Sequence, residues 1–204
     1  MTFKTILKNP FVWAFVIGII SLHIIRELSF MRKSAPPPLA EVPAWELVDQ
    51  NSQPFGKKDL LGKVYVVDFF FTSCPTICPK LTQAMKEVYD RFRHQTGIEF
   101  VSITVDPDND TPAVLKDYLE KHDIAYDNWH ALTGSKQAIF DVVVNKMKVH
   151  VGERQELADG MYDISHMAQL ALFDQNGDLR GLFKTDSVEL AALVRAAQFF
   201  LEKH

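Results

Sequence analysis

The chain has 204 residues, 47% of them hydrophobic, and a net charge of −4. That length accommodates one domain plus an extension, with enough apolar content for a sizeable core. The mild charge and the lack of any basic tract exclude nucleic acid as a partner.

Residues 10–25, PFVWAFVIGIISLHII, form an apolar block preceded by Lys4 and Lys8 and followed by Arg26. At helical rise the block reaches about 24 Å. Leu28, Phe30 and Met31 extend it toward the thickness of a hydrocarbon core, with Arg26 free to snorkel. No small-x-small cleavage site and no cysteine follow, which favours an uncleaved membrane anchor over a secretory or lipoprotein signal. Flanking charge leaves the orientation open. Residues 1–33 therefore read as a transmembrane anchor with its flanks. Residues 34–43, SAPPPLAEVP, read as an extended proline-rich tether, and 44–204 as the folded domain.

Within the domain, Glu46 to Phe55 reads as a strand, a polar turn and a short second strand. The continuously apolar run 64–71 suits an inner strand covered on both faces. From Pro79 to His94, Leu81, Met85, Val88, Tyr89 and Phe92 recur at helical spacing, which makes Met85 a core residue. Residues 98–105 form the next strand. A helix follows with Thr111 as N-cap and Pro112 in its first position. Asp106, Asp108 and Asp110 lack the later glutamate of an EF-hand loop and read as turn and cap residues. Residues 129–134 read as a short connector, 135–147 as a helix, and 148–163 as an irregular polar stretch with hairpin character through Gly152 and Gly160. The alternating strand 168–173 turns through 174–178 into 179–184. An amphipathic helix, 187–203, closes the chain. Strands alternating with helices, then a terminal hairpin and helix, predict an α/β thioredoxin-like sandwich with a mixed central sheet flanked by helices.

The two cysteines, Cys74 and Cys78, lie in Thr72-Ser73-Cys74-Pro75-Thr76-Ile77-Cys78-Pro79. Four residues apart at a helix start, their sulfurs share one face. The positive helix end favours thiolate, which is both nucleophile and metal ligand. Three readings stand together. A structural disulfide closes so small a ring that it contributes only about 2 kcal/mol. A redox dithiol normally has Cys-x-x-Cys spacing, one residue shorter. A soft-metal site for Cu(I) or Zn(II) needs a third donor. Seven histidines could supply it: His23, His94, His122, His130, His150, His166 and His204. His166 stands out because it precedes a core strand, and in a thioredoxin-like fold that approach lies against the cysteine motif.

The cysteine motif, Val105-Asp106-Pro107-Asp108-Asn109-Asp110-Thr111-Pro112 and the His166 strand together resemble the Sco/SenC family of membrane-anchored, thioredoxin-like copper-delivery proteins, over roughly residues 42–203. The resemblance implies copper held by Cys74, Cys78 and His166. It implies delivery to the subunit of cytochrome c oxidase that carries the binuclear copper centre. It also implies a domain outside the cytoplasm, on a bacterial cytoplasmic (inner) membrane or facing the mitochondrial intermembrane space. Two thiolates suit Cu(I), and imidazole also suits Cu(II). Two positions depart from the family pattern: Thr76, where an acidic residue is common, and Ser165, where Asp or Asn is frequent. A second function fits the same residues, a membrane-anchored thiol–disulfide oxidoreductase using Cys74 and Cys78 to reduce cysteines of an oxidase subunit or other exported client. A redox or copper sensor acting through the anchor is the third.

Overall fold

The computed structural model describes residues 10–31, 37–75, 77–124, 127–157 and 162–203, with backbone alone at 11 and 24–31. The chain divides into two compact units, residues 1–37 and 38–204. In the first, helix α1 runs Pro10–Met31 over 22 residues. Among the described residues no helix is long and apolar enough to cross a membrane. The anchor expected there is thus not shown.

The second unit is built on an eight-stranded mixed sheet. Its strands are β1 (Ala40–Glu41), β2 (Glu46–Asp49), β3 (Pro54–Gly56), β4 (Val64–Phe70), β5 (Ile98–Thr104), β6 (Trp129–Thr133), β9 (Leu170–Phe173) and β10 (Asp178–Phe183), in the order β1-β10-β9-β4-β5-β6-β2-β3. β4, β5 and β6 run parallel, and β9 lies antiparallel on the other edge of β4. All seven residues of β4 are buried, as an inner strand with both faces covered requires. Helices α3 (Cys78–Phe92), α4 (Pro112–Lys121) and α6 (Ser187–Leu201) and the short α2 (Lys57–Leu60) and α5 (Lys136–Phe140) complete it. Strands β7 (Val151–Glu156) and β8 (Tyr162–His166) form a separate two-stranded sheet.

Four sequence expectations change. Residues 129–133 are not a connector: they form β6, pairing in parallel with β5, and Trp129 is buried. A five-residue parallel strand gives no alternation to find, and His130 and Thr133 break its apolar run. The end of the expected tether is a sheet edge, since Ala40 and Glu41 pair with Leu179 and Asp178. The helix after Ser135 turns π-helical over Asp141–Lys146, through the β-branched run Val142-Val143-Val144. The polar stretch 148–163 is regular rather than irregular: β7 and the start of β8 form the hairpin expected there, with Gly152 inside β7, and part of its turn, 158–161, lies outside the described residues.

Other expectations hold. Thr111 caps α4 by accepting the Val114 N–H, with Pro112 in the first helical turn. Met85 is fully buried, a core residue.

Candidate functional site

β4 ends against the loop that carries Cys74, and α3 begins at Cys78, one residue before the expected Pro79. The N-cap, Ile77, offers no side-chain acceptor, yet the Cys78 N–H donates to the Cys74 sulfur at 3.4 Å. The spacing thus puts the first sulfur on a helix-terminal donor that would otherwise be orphaned. No disulfide joins the two cysteines, and they are 7% and 1% exposed. The Cys78 thiol is held well above its ordinary range, first by burial and then by its hydrogen bond with Cys74. Here the expected effect of the helix end is overruled. The dipole's gain is roughly 0.3–1 kcal/mol, whereas full desolvation shifts a buried group by up to 3–5 pH units.

His166, 88 residues further on, brings Nε2 to 3.6 Å from the Cys78 sulfur. Its Nδ1 faces the Met167 carbonyl at 3.3 Å. A carbonyl only accepts, so the proton belongs on Nδ1 and the Nε2 lone pair points at sulfur. Burial lowers the pKa of His166, which keeps the imidazole neutral at pH 7. Its ring stands edge-on to Phe71, the residue just after β4, with centroids 6.1 Å apart. The contacts run as a chain from Cys74 to Cys78 to His166. Among the described residues no three His, Cys, Asp or Glu side chains close into a group able to hold a metal ion.

Of the other histidines, His94, His122, His130 and His150 make no described contact with either cysteine. His130 meets Glu99 at 3.2 Å and stacks on Phe55, while His122 packs on Tyr118 at 4.3 Å between ring centroids. His94 accepts from Arg93, His23 and His150 are exposed, and His204 lies outside the described residues.

Two groups at the site were missed by sequence reading. Asp68, in the middle of β4, is fully buried, and its Oδ1 has no hydrogen-bond partner among the described residues. Burial pushes its pKa up to about 7 against a lowering hydrogen bond from Ser102, its register partner on β5. Its charge opposes ionisation of both Cys78 and Tyr118. The signal was present: an acid inside an otherwise apolar inner strand is the exception that needs a reason. The other is Tyr162, four residues before His166, whose hydroxyl donates to Asp106. Asp106 and Asp110 do fill turn-and-cap positions, but both also turn inward. Asp110 accepts from the Thr72 N–H at 3.1 Å, and from the Thr72 and Thr104 hydroxyls at 2.5 Å each.

A mixed sheet with a dithiol opening the first long helix of the domain, and an imidazole brought to it from a distant segment, defines a thioredoxin-like thiol protein. Within that class the chain belongs to the SCO1/SenC family, whose model matches residues 33–198. A SCO2-like protein of Rickettsia felis is 38% identical over 145 residues, covering 70% of this chain and 69% of that protein. A SCO1/SenC family lipoprotein from Bacillus anthracis superposes with a TM-score of 0.71 at 30% identity, over 82% of this chain and 99% of that one. ScoI of Bradyrhizobium japonicum, solved with copper bound, superposes with a TM-score of 0.61 at 26% identity, over 79% and 99%.

Proposed function

We propose that this protein is a copper metallochaperone that holds copper between Cys74, Cys78 and His166 and delivers it to the binuclear copper centre of cytochrome c oxidase. The observation that carries the reading is the 3.6 Å approach of His166 Nε2 to the Cys78 sulfur. Family membership and the copper-bound ScoI relative support the choice of metal. The donor set fits: two thiols and a neutral imidazole are soft enough for Cu(I), and the imidazole also serves Cu(II). An Nδ1–H directed at a backbone carbonyl is the usual support of a metal-bound histidine. The Cys78 thiol is protonated at pH 7 in the metal-free protein, so copper displaces its proton and binding strengthens as pH rises. Oxidation of Cys74 and Cys78 to a disulfide would pass two electrons to an external oxidant, release two protons and remove both sulfur donors. Redox state would then gate loading and release.

Residues 1–33 serve as the membrane anchor in this reading, 34–43 as the tether and 44–204 as the copper-binding domain. The support is the sequence alone: the apolar block 10–25, extended by Leu28, Phe30 and Met31 and flanked by Lys4, Lys8 and Arg26. The domain then works outside the cytoplasm, at a bacterial cytoplasmic membrane or in the mitochondrial intermembrane space.

A second reading, thiol–disulfide exchange with an oxidase subunit or other exported client, uses the same two sulfurs, which are unbridged and in contact through the Cys78 N–H. Anaerobic copper titration of reduced protein, oxidised protein and His166→Ala separates the two. The chaperone binds one copper when reduced and loses it on oxidation, and His166→Ala weakens retention while dithiol exchange survives. Wild-type copper affinity in His166→Ala would remove the imidazole from the site.

A further inference from the structure

β7 and β8 pair with each other and, among the described residues, with no strand of the main sheet. The hairpin that carries His166 must therefore be held against the sulfurs by side chains, and the contacts converge on Tyr162. Its ring is 8% exposed and stacks on Phe71, with centroids 5.5 Å apart and planes 18° off parallel. Phe71 is also the edge-on neighbour of His166. The guanidinium of Arg154 covers the ring at 3.6 Å. The Tyr162 hydroxyl donates to Asp106 Oδ2 and contacts the Ser73 side chain, next to Cys74. Asn109 braces the pair, donating to Asp106 at 2.9 Å and meeting the Tyr162 oxygen at 3.4 Å.

The acceptor loop is itself fixed. Asp106 donates its N–H to the Thr104 hydroxyl at 3.0 Å, and that hydroxyl donates to Asp110, which holds Thr72. One short loop after β5 thus grips the sulfur-bearing segment through Asp110 and the imidazole-bearing strand through Asp106.

We propose that Tyr162 is a positioning residue of the copper site: through Asp106 and Ser73, its hydroxyl sets the distance between the His166 imidazole and the two sulfurs. The proposal rests on the copper reading above. A phenol held by a buried carboxylate fixes the strand four residues from the ligand. Without it the ring still stacks, but the strand is free to shift along Phe71. Loss of such an outer partner typically weakens metal binding by ~10–100-fold.

The test compares Tyr162→Phe, His166→Ala and the double variant in the full-length protein, with Cu(I) and Cu(II) as probes. Tyr162→Phe keeps the ring and removes one oxygen. The expected result is unchanged thiol titre and circular dichroism, Cu(II) affinity lowered roughly 10–100-fold, and weakened imidazole-nitrogen coupling in the electron paramagnetic resonance spectrum. In the His166→Ala background the same change has no further effect on copper, because the group it positions is gone. Asp106→Asn reproduces the phenotype and replaces Tyr162→Phe as the test variant should the latter fail to fold. Wild-type affinity and spectrum in Tyr162→Phe, or an effect that persists in full without His166, overturns the proposal alone. If His166→Ala leaves affinity and spectrum unchanged, the copper reading falls first and the proposal with it.

Discussion

Cys78 follows a strand paired along both edges, whereas His166 ends a strand whose partner is its own hairpin. On the sulfur side, backbone does the placing. β4 matches β5 through seven register pairs, and its aromatic end, with Phe69, Phe70 and Phe71, is buried. Burying each of those phenylalanines contributes roughly 1.5–3 kcal/mol, which outweighs the cost of carrying Asp68 in the same strand. On the imidazole side, a phenol hydroxyl, a ring stack and a guanidinium do the placing. The lesson is that the two halves answer to different forces. The sulfurs move only if the core opens, while the imidazole moves if a few side-chain contacts are lost.

Four experiments break or sharpen that contrast. The largest effect is at the sulfurs. Thiolate metal sites bind with ~10–16 kcal/mol shared among their ligands, so Cys74→Ser or Cys78→Ser weakens Cu(I) retention by roughly a hundredfold or more. Competition against a chromophoric Cu(I) chelator measures it, and near-wild-type competition by either variant contradicts a two-sulfur site.

Asp68 comes next. Its pKa in the folded protein is raised from 3.8 to about 7, so the folded chain binds the proton more tightly than the unfolded one. The stability this gives is complete below about pH 4 and lost as pH rises through 7, a swing of up to about 4 kcal/mol. Asp68→Asn should flatten the urea-denaturation profile between pH 4 and 8 and leave the variant the more stable at pH 8. Parallel profiles would mean that the carboxylate is solvated.

Smaller again is Asp110→Ala. It leaves the Thr72 N–H and two hydroxyls without their acceptor, at about 1–3 kcal/mol for a buried unsatisfied group. Tyr162→Phe should lower global stability by about 1 kcal/mol or less, because the hairpin lies outside the sheet. A thermal melt ranks the two, and the reverse order would erase the distinction between the halves. The finest discrimination is amide hydrogen exchange. β4 amides should exchange only on global unfolding, and β7–β8 amides through cheaper local opening.

The same contrast decides what the sequence disclosed. The sulfur half was readable because each of its features is local: an apolar inner strand, two Cys-Pro steps, a helical repeat of Leu81, Met85, Val88 and Phe92, and a Thr111–Pro112 helix start. His166 could be singled out by its place before a core strand, but its approach to Cys78 depends on a hairpin that the sequence marked only by Gly152 and Gly160, without its strands. β7 is largely polar and exposed, Val151-Gly152-Glu153-Arg154-Gln155-Glu156, so no buried face betrays it. β6 was hidden by its brevity. Tyr162 and Asp106 are 56 residues apart, and nothing in either neighbourhood announces their pairing. Asp68 alone was in plain view, and passed as part of an apolar run.

X-ray absorption at the copper edge of the full-length protein loaded with Cu(I), set beside His166→Ala, bears most directly on the convergence of these two halves. Two sulfurs and one imidazole nitrogen around the metal, with the nitrogen lost in the variant, is the result that follows from the geometry. A nitrogen that survives the substitution, or a metal held by one sulfur, would contradict it.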